Sequence, residues 1–423
     1  MRRNFSLLMI AAAAILISCS GGGGGDGTRW LAVTDTIADT ITVRTVSGSV
    51  WGDTAYLETE VSIGMLEGPD EYLIGNPRSL AVGADGVIFV LDRQVPVIRA
   101  YGPGGDYLFD VGREGGGPGE YKSPGAIALL SDGRLLVRYP ANNRISRFGS
   151  DGEYLGHIPY PGGFNTGRPL YVDTSDVVLS LVLMNYGTAP WDWEYGLVRV
   201  DPDDGIMDTL VVPIWEYEKA EITASRENSS SSNSVPFSAD DSWTFSPLGY
   251  IVGGVSTDYS IDLYRVDEPV LRVERDWTPV PVKREEAEER RRRSTENMRR
   301  QYSGWQWNGP PIPDTKPPFR DMFVSEEGNI WVQVSQPGVP TMTEAEAREE
   351  EQRSGWPQLR FTEPAAFDVF APDGRFLGHV SVPQSFADSP DPVVSGEYVW
   401  AVTRDELDVA SIVRFRIVHP SGS

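Results

Sequence analysis

Between residues 77 and 157 the chain repeats itself with a period of 47 residues. Pro77 returns as Pro124, Asp85-Gly86 as Asp132-Gly133, Ile98 as Ile145, Tyr101 as Phe148, Gly105 as Gly152 and Tyr107 as Tyr154. Each unit reads as four short strands, in the first at Ser79–Val82, Val87–Leu91, Val97–Tyr101 and Tyr107–Val111. The Asp-Gly and Gly-Gly pairs between them supply turns that need positive φ, where glycine carries no steric penalty. A repeat of 40 to 50 residues with four antiparallel strands predicts a β-propeller blade.

Weaker copies follow. A third unit runs from Leu170 to Pro213. A fourth has strands near Trp243–Phe245, Tyr250–Gly254, Tyr259–Val266 and Val270–Asp276. A fifth begins at Phe319 and closes with Phe376–Val382. The last unit offers Tyr398–Val402 and Ile412–Val418 and then stops, one strand short. Tyr56–Ile63, followed by Gly68-Pro69-Asp70-Glu71-Tyr72, mirrors Tyr107–Gly112 followed by Gly117-Pro118-Gly119-Glu120-Tyr121. It is therefore expected to be the missing outer strand, closing the ring and removing two open edges. The expected fold is all-β: one six-bladed propeller of four-stranded antiparallel blades over residues 54–423, with short helices in its insertions. Ile41, Val43 and Thr45 alternate as a strand would, but residues 28–53 find no place in that ring.

The stretch G-x-x-G-x-G-P-G-E-Y-x-x-P at 112–124, with Asn143-Arg144-Ile145 after it, resembles bacterial six-bladed propellers of the NHL-repeat and TolB-like type. The resemblance is specific over residues 56–157 and architectural beyond. It implies the fold and brings no settled activity with it.

The N-terminus is a signal peptide by pattern: Arg2 and Arg3, then an apolar run from Leu7 to Ile17 too short to span a bilayer comfortably. Leu16-Ile17-Ser18-Cys19 resembles a bacterial lipobox, which implies cleavage after residue 18 and lipidation of Cys19. Residues 19–27 are then a Gly-rich tether, and the protein is expected in the cell envelope of a Gram-negative-type bacterium, at the outer membrane. Cys19 is the only cysteine, so neither a disulfide framework nor a cysteine zinc cluster is available. With 37 Lys and Arg against 61 Asp and Glu, net −24, the chain is a poor match for nucleic acid or for direct binding to anionic lipid.

Four long insertions, 185–195, 214–241, 279–317 and 336–361, all fall in connections that open on one face of the disc. Long loops tend to carry function, although drift in loops would look the same. They hold Trp191, Trp193, Trp215, Trp305, Trp307 and Trp356. Exposed together, such rings make a sugar or peptide platform; packed down, they make the insertions' own core. Residues 283–302 read as a helix with eight Lys and Arg and five Glu. Its pairs Glu286–Arg290, Glu288–Arg292, Glu289–Arg293 and Glu296–Arg300 have the favourable i,i+4 order. Only Met298, Tyr302 and Trp305 form an apolar stripe, so only its C-terminal end is expected to dock. Thr343 and Glu346 form a capping-box pattern ahead of a second helix at 344–353. The serine run within 225–234 reads as a loop.

No H-E-x-x-H, G-x-S-x-G or Walker pattern is present. His157 and His379 stand in matching Leu-Gly-His contexts, which favours a structural role. Arg78, Arg168 and Arg320 precede inner strands at the channel mouth, where they can hold a carboxylate or phosphate or else bond interblade carbonyls and acids. Asp92, Asp173 and Asp321 lie near them and leave calcium open, though no cofactor is required. The leading reading is a lipid-anchored binding or scaffold propeller that engages a protein, peptide or glycan through its loop-rich face. The alternative is a lyase or hydrolase at the channel mouth.

Overall fold

The structure is a computed structural model that describes residues 16–17, 30–139, 143–159, 167–185, 194–226 and 229–420. Cys19, its tether, and Trp191 and Trp193 lie outside the described residues. The chain is mainly β, with two helices among the described residues. Three free-standing antiparallel meanders come first. The first comprises Pro77–Val82, Ile88–Asp92, Val97–Tyr101 and Tyr107–Val111. The second comprises Ala126–Leu129, Leu135–Tyr139, Arg144–Phe148 and Tyr154–Pro159. The third comprises Tyr171–Val172, Val178–Leu183, Tyr195–Asp201 and Gly205–Val211. A fourth follows at Asp241–Ser246, Tyr250–Val255, Ser260–Tyr264 and Val270–Arg275, and a fifth at Phe319–Val324, Ile330–Val334, Ala366–Phe370 and Phe376–Ser381. This succession of small meanders is the sheet pattern of a β-propeller.

The repeat is legible in the turns. Gly86 and Gly133 both have φ near +80° (82° and 83°). In each turn the preceding aspartate, Asp85 or Asp132, accepts the amide of the residue after the glycine, at 3.1 and 3.0 Å. A Cβ at either glycine would sit in a conformation that L-residues rarely adopt.

The motif at 112–124 turns out to be a lock between neighbouring sheets. Tyr121 is buried between the first two meanders, in a cluster with Leu91, Ile98, Val137 and Phe148. Its hydroxyl donates to the Val111 carbonyl at 2.5 Å and accepts the Ile98 amide at 3.0 Å. Glu120 accepts the Gly117 amide at 2.9 Å, and Arg144 donates to the carbonyls of Gly117 and Glu120. The mirrored segment is tied instead to the meander that it leads into: the Tyr72 hydroxyl accepts the Tyr107 amide at 3.0 Å, and Tyr101 donates to the Glu71 carbonyl at 2.6 Å. Buried hydroxyls are kept satisfied here by the backbone of the adjoining sheet.

Residues 30–53 now have a place. Thr40–Ser47 pairs in parallel with Val270–Arg275, and Leu31–Ile37 pairs antiparallel with Thr40–Ser47. Val43 faces Leu271, Val273 and Phe376 in one core. The hairpin covers the outer edge of the fourth meander, where a bare edge would invite pairing with another chain. Ala55–Ile63 pairs antiparallel with Ala410–Val418, from Tyr56 opposite Val418 to Ile63 opposite Ile412. Val393–Ser395, a strand missed in the sequence because it is so short, pairs with Tyr398–Arg404.

The insertions 214–241, 279–317 and 336–361 pack on one another as a cap. The expected loop at 225–234 is instead part of a hairpin, Glu221–Arg226 against Ser229–Ser234. Its serines are exposed or half-buried, with Ser229 bonded to Tyr302 and Ser234 to Asp240, while Ile222 and Val235 pack on Met298. Helix α1 spans Arg284–Gln301 and helix α2 spans Glu344–Ser354, the latter started by the expected Thr343–Glu346 capping box. The expectation that only the C-terminal end of α1 docks is wrong. Its N-terminal end is also held, by charge: Glu286 lies buried against Lys316 at 2.9 Å, and Lys316 reaches Glu363 at 2.9 Å and the Gln336 carbonyl at 3.0 Å. The four i,i+4 pairs are not how these charges are used. Glu289 pairs with Arg360, Arg292 with Glu351, and Arg293 and Arg300 donate to the carbonyls of Pro357 and Gly355. The charges of α1 thus tie it to the neighbouring insertion, although only Glu286 and Met298 of the helix are buried.

Candidate functional site

The innermost strands of the meanders leave a cavity of about 240 Å³ between them, lined among others by Arg78, Arg168, Tyr171, Phe323 and Asp391. Arg78 and Arg168 enter it from the starts of the first and third meanders. Arg78 donates to the Gly167 carbonyl at 3.4 Å, a long bond. Arg168 donates to the Trp243 carbonyl at 3.2 Å and lies 4.9 Å from the centre of the Trp243 ring. These bonds orient both guanidiniums and leave further donors on each for a ligand.

Asp391 was not singled out in the sequence. It sits in Ser389-Pro390-Asp391-Pro392, just ahead of Val393–Ser395. Its carboxyl is open to the cavity but walled by protein. Protein crowded around this solvent-exposed side chain, together with the nearby charge of Asp321, raises its pKa to about 6, against the pull of Arg168 and Arg78. Asp391 thus lies beside two fixed cations. A carboxyl whose folded pKa lies above its unfolded value of about 4 favours the fold at low pH. That contribution is complete below the unfolded value and is lost as pH rises through about 6. Asp391→Asn, which cannot ionise, should gain in melting temperature over the wild type as pH rises from about 4 to 7. A difference that stays flat across that range would mean that folding does not raise the Asp391 pKa.

The other residues marked in the sequence lie elsewhere or are already occupied. Arg320 does not line this cavity. It stands 3.5 Å from Glu363 and 3.9 Å from Asp388. Asp321 accepts the Ser242 hydroxyl at 2.8 Å and the Met322 amide at 2.9 Å. Asp92 is buried and accepts the amides of Gly75, Asn76 and Gln94. Asp173 caps its own turn through the amides of Ser175 and Val177. Among the described residues no group of three His, Cys, Asp or Glu side chains is placed to hold a metal ion. His379 bonds the buried Asp368 at 2.9 Å, and His157 meets the Tyr154 hydroxyl at 3.0 Å.

The tryptophans of the cap are half-buried and bonded within it. Trp305 donates its indole N–H to the Thr223 carbonyl and Trp307 donates to the Gly309 carbonyl, both at 2.9 Å. Arg291 lies over Trp307, and Arg293 and Arg300 both lie over Trp356. These cation–π contacts tie α1 to the loops around it.

No protein-family model matches the chain, and no curated protein does. Solved structures do. A member of the DUF4221 family from Bacteroides vulgatus is 10% identical, with a TM-score of 0.50, over 86% of this chain and 99% of its own. A Bacteroides fragilis protein described as exported is 12% identical, with a TM-score of 0.46, over 90% and 99%. Virginiamycin B lyase from Staphylococcus aureus is 11% identical, with a TM-score of 0.37, over 95% and 94%. The likeness is one of fold. At such identities nothing about ligand or reaction passes to this chain.

Proposed function

We propose that the chain is a six-bladed, ring-closed propeller, lipidated at Cys19 and tethered in the cell envelope, that binds a carboxylate-bearing peptide or glycan at the mouth. The observation that carries this reading is the convergence of Arg78, Arg168 and Asp391 in one cavity. Two guanidiniums recognise a carboxylate, and the Asp391 carboxyl can bond a neighbouring hydroxyl or amide N–H of the same ligand. The pairing of Ala55–Ile63 with Ala410–Val418 supports a closed ring. The lipobox pattern supports the anchor.

Calorimetric titration with trigalacturonate, and with a tripeptide bearing a free C-terminal carboxylate, tests the reading. Arg78→Ala/Arg168→Ala should weaken binding on the order of 30-fold or more, as expected for losing charged hydrogen bonds. The amidated tripeptide should bind poorly to the wild type. Affinities unchanged in the double variant would rule out the mouth as the site. A second reading, lyase or hydrolase action, is favoured by Asp391 alone, because a carboxyl titrating near 6 suits general acid–base work. Chain cleavage of trigalacturonate that disappears in Asp391→Asn would select it.

A further inference from the structure

A second cavity, of about 230 Å³, lies where the cap meets the fifth meander, lined among others by Phe237, Arg290, Arg320, Ser335 and Glu363. Three features of it are left over once the fold is accounted for. Arg290 projects from α1, half-buried, and among the described residues no ion pair or hydrogen bond ends on it. Its nearest aromatic neighbour is the Phe237 ring, at 5.8 Å. The hydroxyl of Ser335, a residue only 2% exposed, is buried with no hydrogen-bond partner. Phe237 holds a φ of +62°, a left-handed conformation that a bulky side chain rarely takes. That backbone places its ring beside both Arg290 and Lys316. An orphaned donor, an unpaired cation and a strained residue around one cavity are the marks of a ligand clamp.

We propose that this cavity is a binding site for a single carboxylate group on a small organic molecule, held by Arg290 and Arg320 with the Ser335 hydroxyl as a third donor. The acids at its wall are already engaged. Glu363 accepts from Lys316 and from the Gln336 amide at 2.7 Å. Asp240 accepts from Ser234 and Tyr217 and pairs with Lys219 at 2.9 Å. Arg320 meets its acids only at 3.5 and 3.9 Å, which leaves its charge weakly met. Burial and the like charge of Arg320 lower the Arg290 pKa, only partly offset by Glu286, Glu363 and Glu289, and an added anion would act in the same direction as those acids. One negative charge suffices. A dianion such as phosphate would face Glu363 and Asp240 at close range and is disfavoured. The Phe237 face suits the ring or aliphatic part of the ligand. This site stands apart from the mouth reading, since it shares neither Arg78 nor Arg168 with it.

Glucuronate and N-acetylglycine are the probes, titrated into the full chain by calorimetry, with glucose and inorganic phosphate as controls. Either carboxylate is expected to bind and to raise the melting temperature, with glucose inert and phosphate weaker. Measured in the Arg78→Ala/Arg168→Ala background, so that the mouth contributes no carboxylate binding, Arg290→Gln should lower the affinity at least 10-fold and Ser335→Ala by a few fold. Without ligand, Arg290→Met should melt higher than the wild type by about 1–2 °C, because an unpaired half-buried charge is gone. Failure of both probes to bind overturns the proposal, as does binding that survives Arg290→Gln. A fall in melting temperature for ligand-free Arg290→Met would make Arg290 a structural residue and overturn it too.

Discussion

Replacing Lys316 by Met is expected to cost about 3–5 kcal/mol of stability, the range found when one member of a buried ion cluster is removed. Lys316 has no exposed side-chain surface, and Glu286 and Glu363 beside it are 2% and 4% exposed. With the ammonium gone, Glu286 would lose its ion-pair partner and Glu363 would keep only the longer contact to Arg320 at 3.5 Å, and Glu286 already has one oxygen without a partner. The loss falls on the cap first, because Glu286 is what fastens the N-terminal end of α1. The prediction is therefore double. The urea midpoint should drop sharply, and the segment 303–317 should become a protease target under conditions where the wild type resists. Arg284→Met is the control. Its pair with Glu288, at 2.8 Å, is solvent-exposed and should be worth no more than about 0.5 kcal/mol. Two equal midpoints would show that apolar contacts around Met298, not the charge cluster, hold the helix.

This cluster also marks where the sequence stops being informative. The meanders were legible because their signals are local: Asp85-Gly86 and Asp132-Gly133 dictate turns through their own backbone, and Thr343 with Glu346 dictates a helix start within four residues. Tyr121 was legible as a motif, though its role as a lock appears only when the Val111 carbonyl and Ile98 amide meet its hydroxyl. The misreadings are tertiary. Glu286 looked like one more solvated acid because its partner lies thirty residues on, in the proline-rich run Asp314-Thr315-Lys316-Pro317-Pro318. A lone lysine between such residues was the available hint. Ser229–Ser234 has no strand propensity of its own and is drawn into a hairpin by Glu221–Arg226. Thr40–Ser47 has clear strand character, but its parallel pairing to an outer strand more than two hundred residues away leaves no local trace. At the mouth, Arg78 and Arg168 were found by their position ahead of inner strands. Asp391 was not, because the strand that follows it has only three residues.

The pairing of Ala55–Ile63 with Ala410–Val418 makes the other large effect predictable. Leu57→Asp combined with Ile63→Asp should abolish cooperative folding, or lower stability by at least about 4 kcal/mol, because each places an unpaired carboxylate in an apolar core. Leu57 packs with Val380, Phe415 and Ile417, and Ile63 packs with Tyr101, Val402 and Ile412. The two side chains thus join the strand Ala55–Ile63 to the C-terminal strands at one end and to the first meander at the other. On the opposite face of the same strand Glu58 pairs with Arg416 at 3.0 Å in solvent, so Glu58→Gln should change stability by less than about 1 kcal/mol. The contrast follows from the two-residue period of a strand, which sends neighbours to opposite faces. If the N-terminal strand were a dispensable addition, the double variant would keep the wild-type melting transition and lose only this strand. If it is the last element of the ring, every meander should lose its cooperative transition together, because an opened ring exposes the Ala410–Val418 edge and strips the contacts that join the first meander to the last strands. Near-ultraviolet circular dichroism, read alongside the far-ultraviolet signal during melting, separates these outcomes.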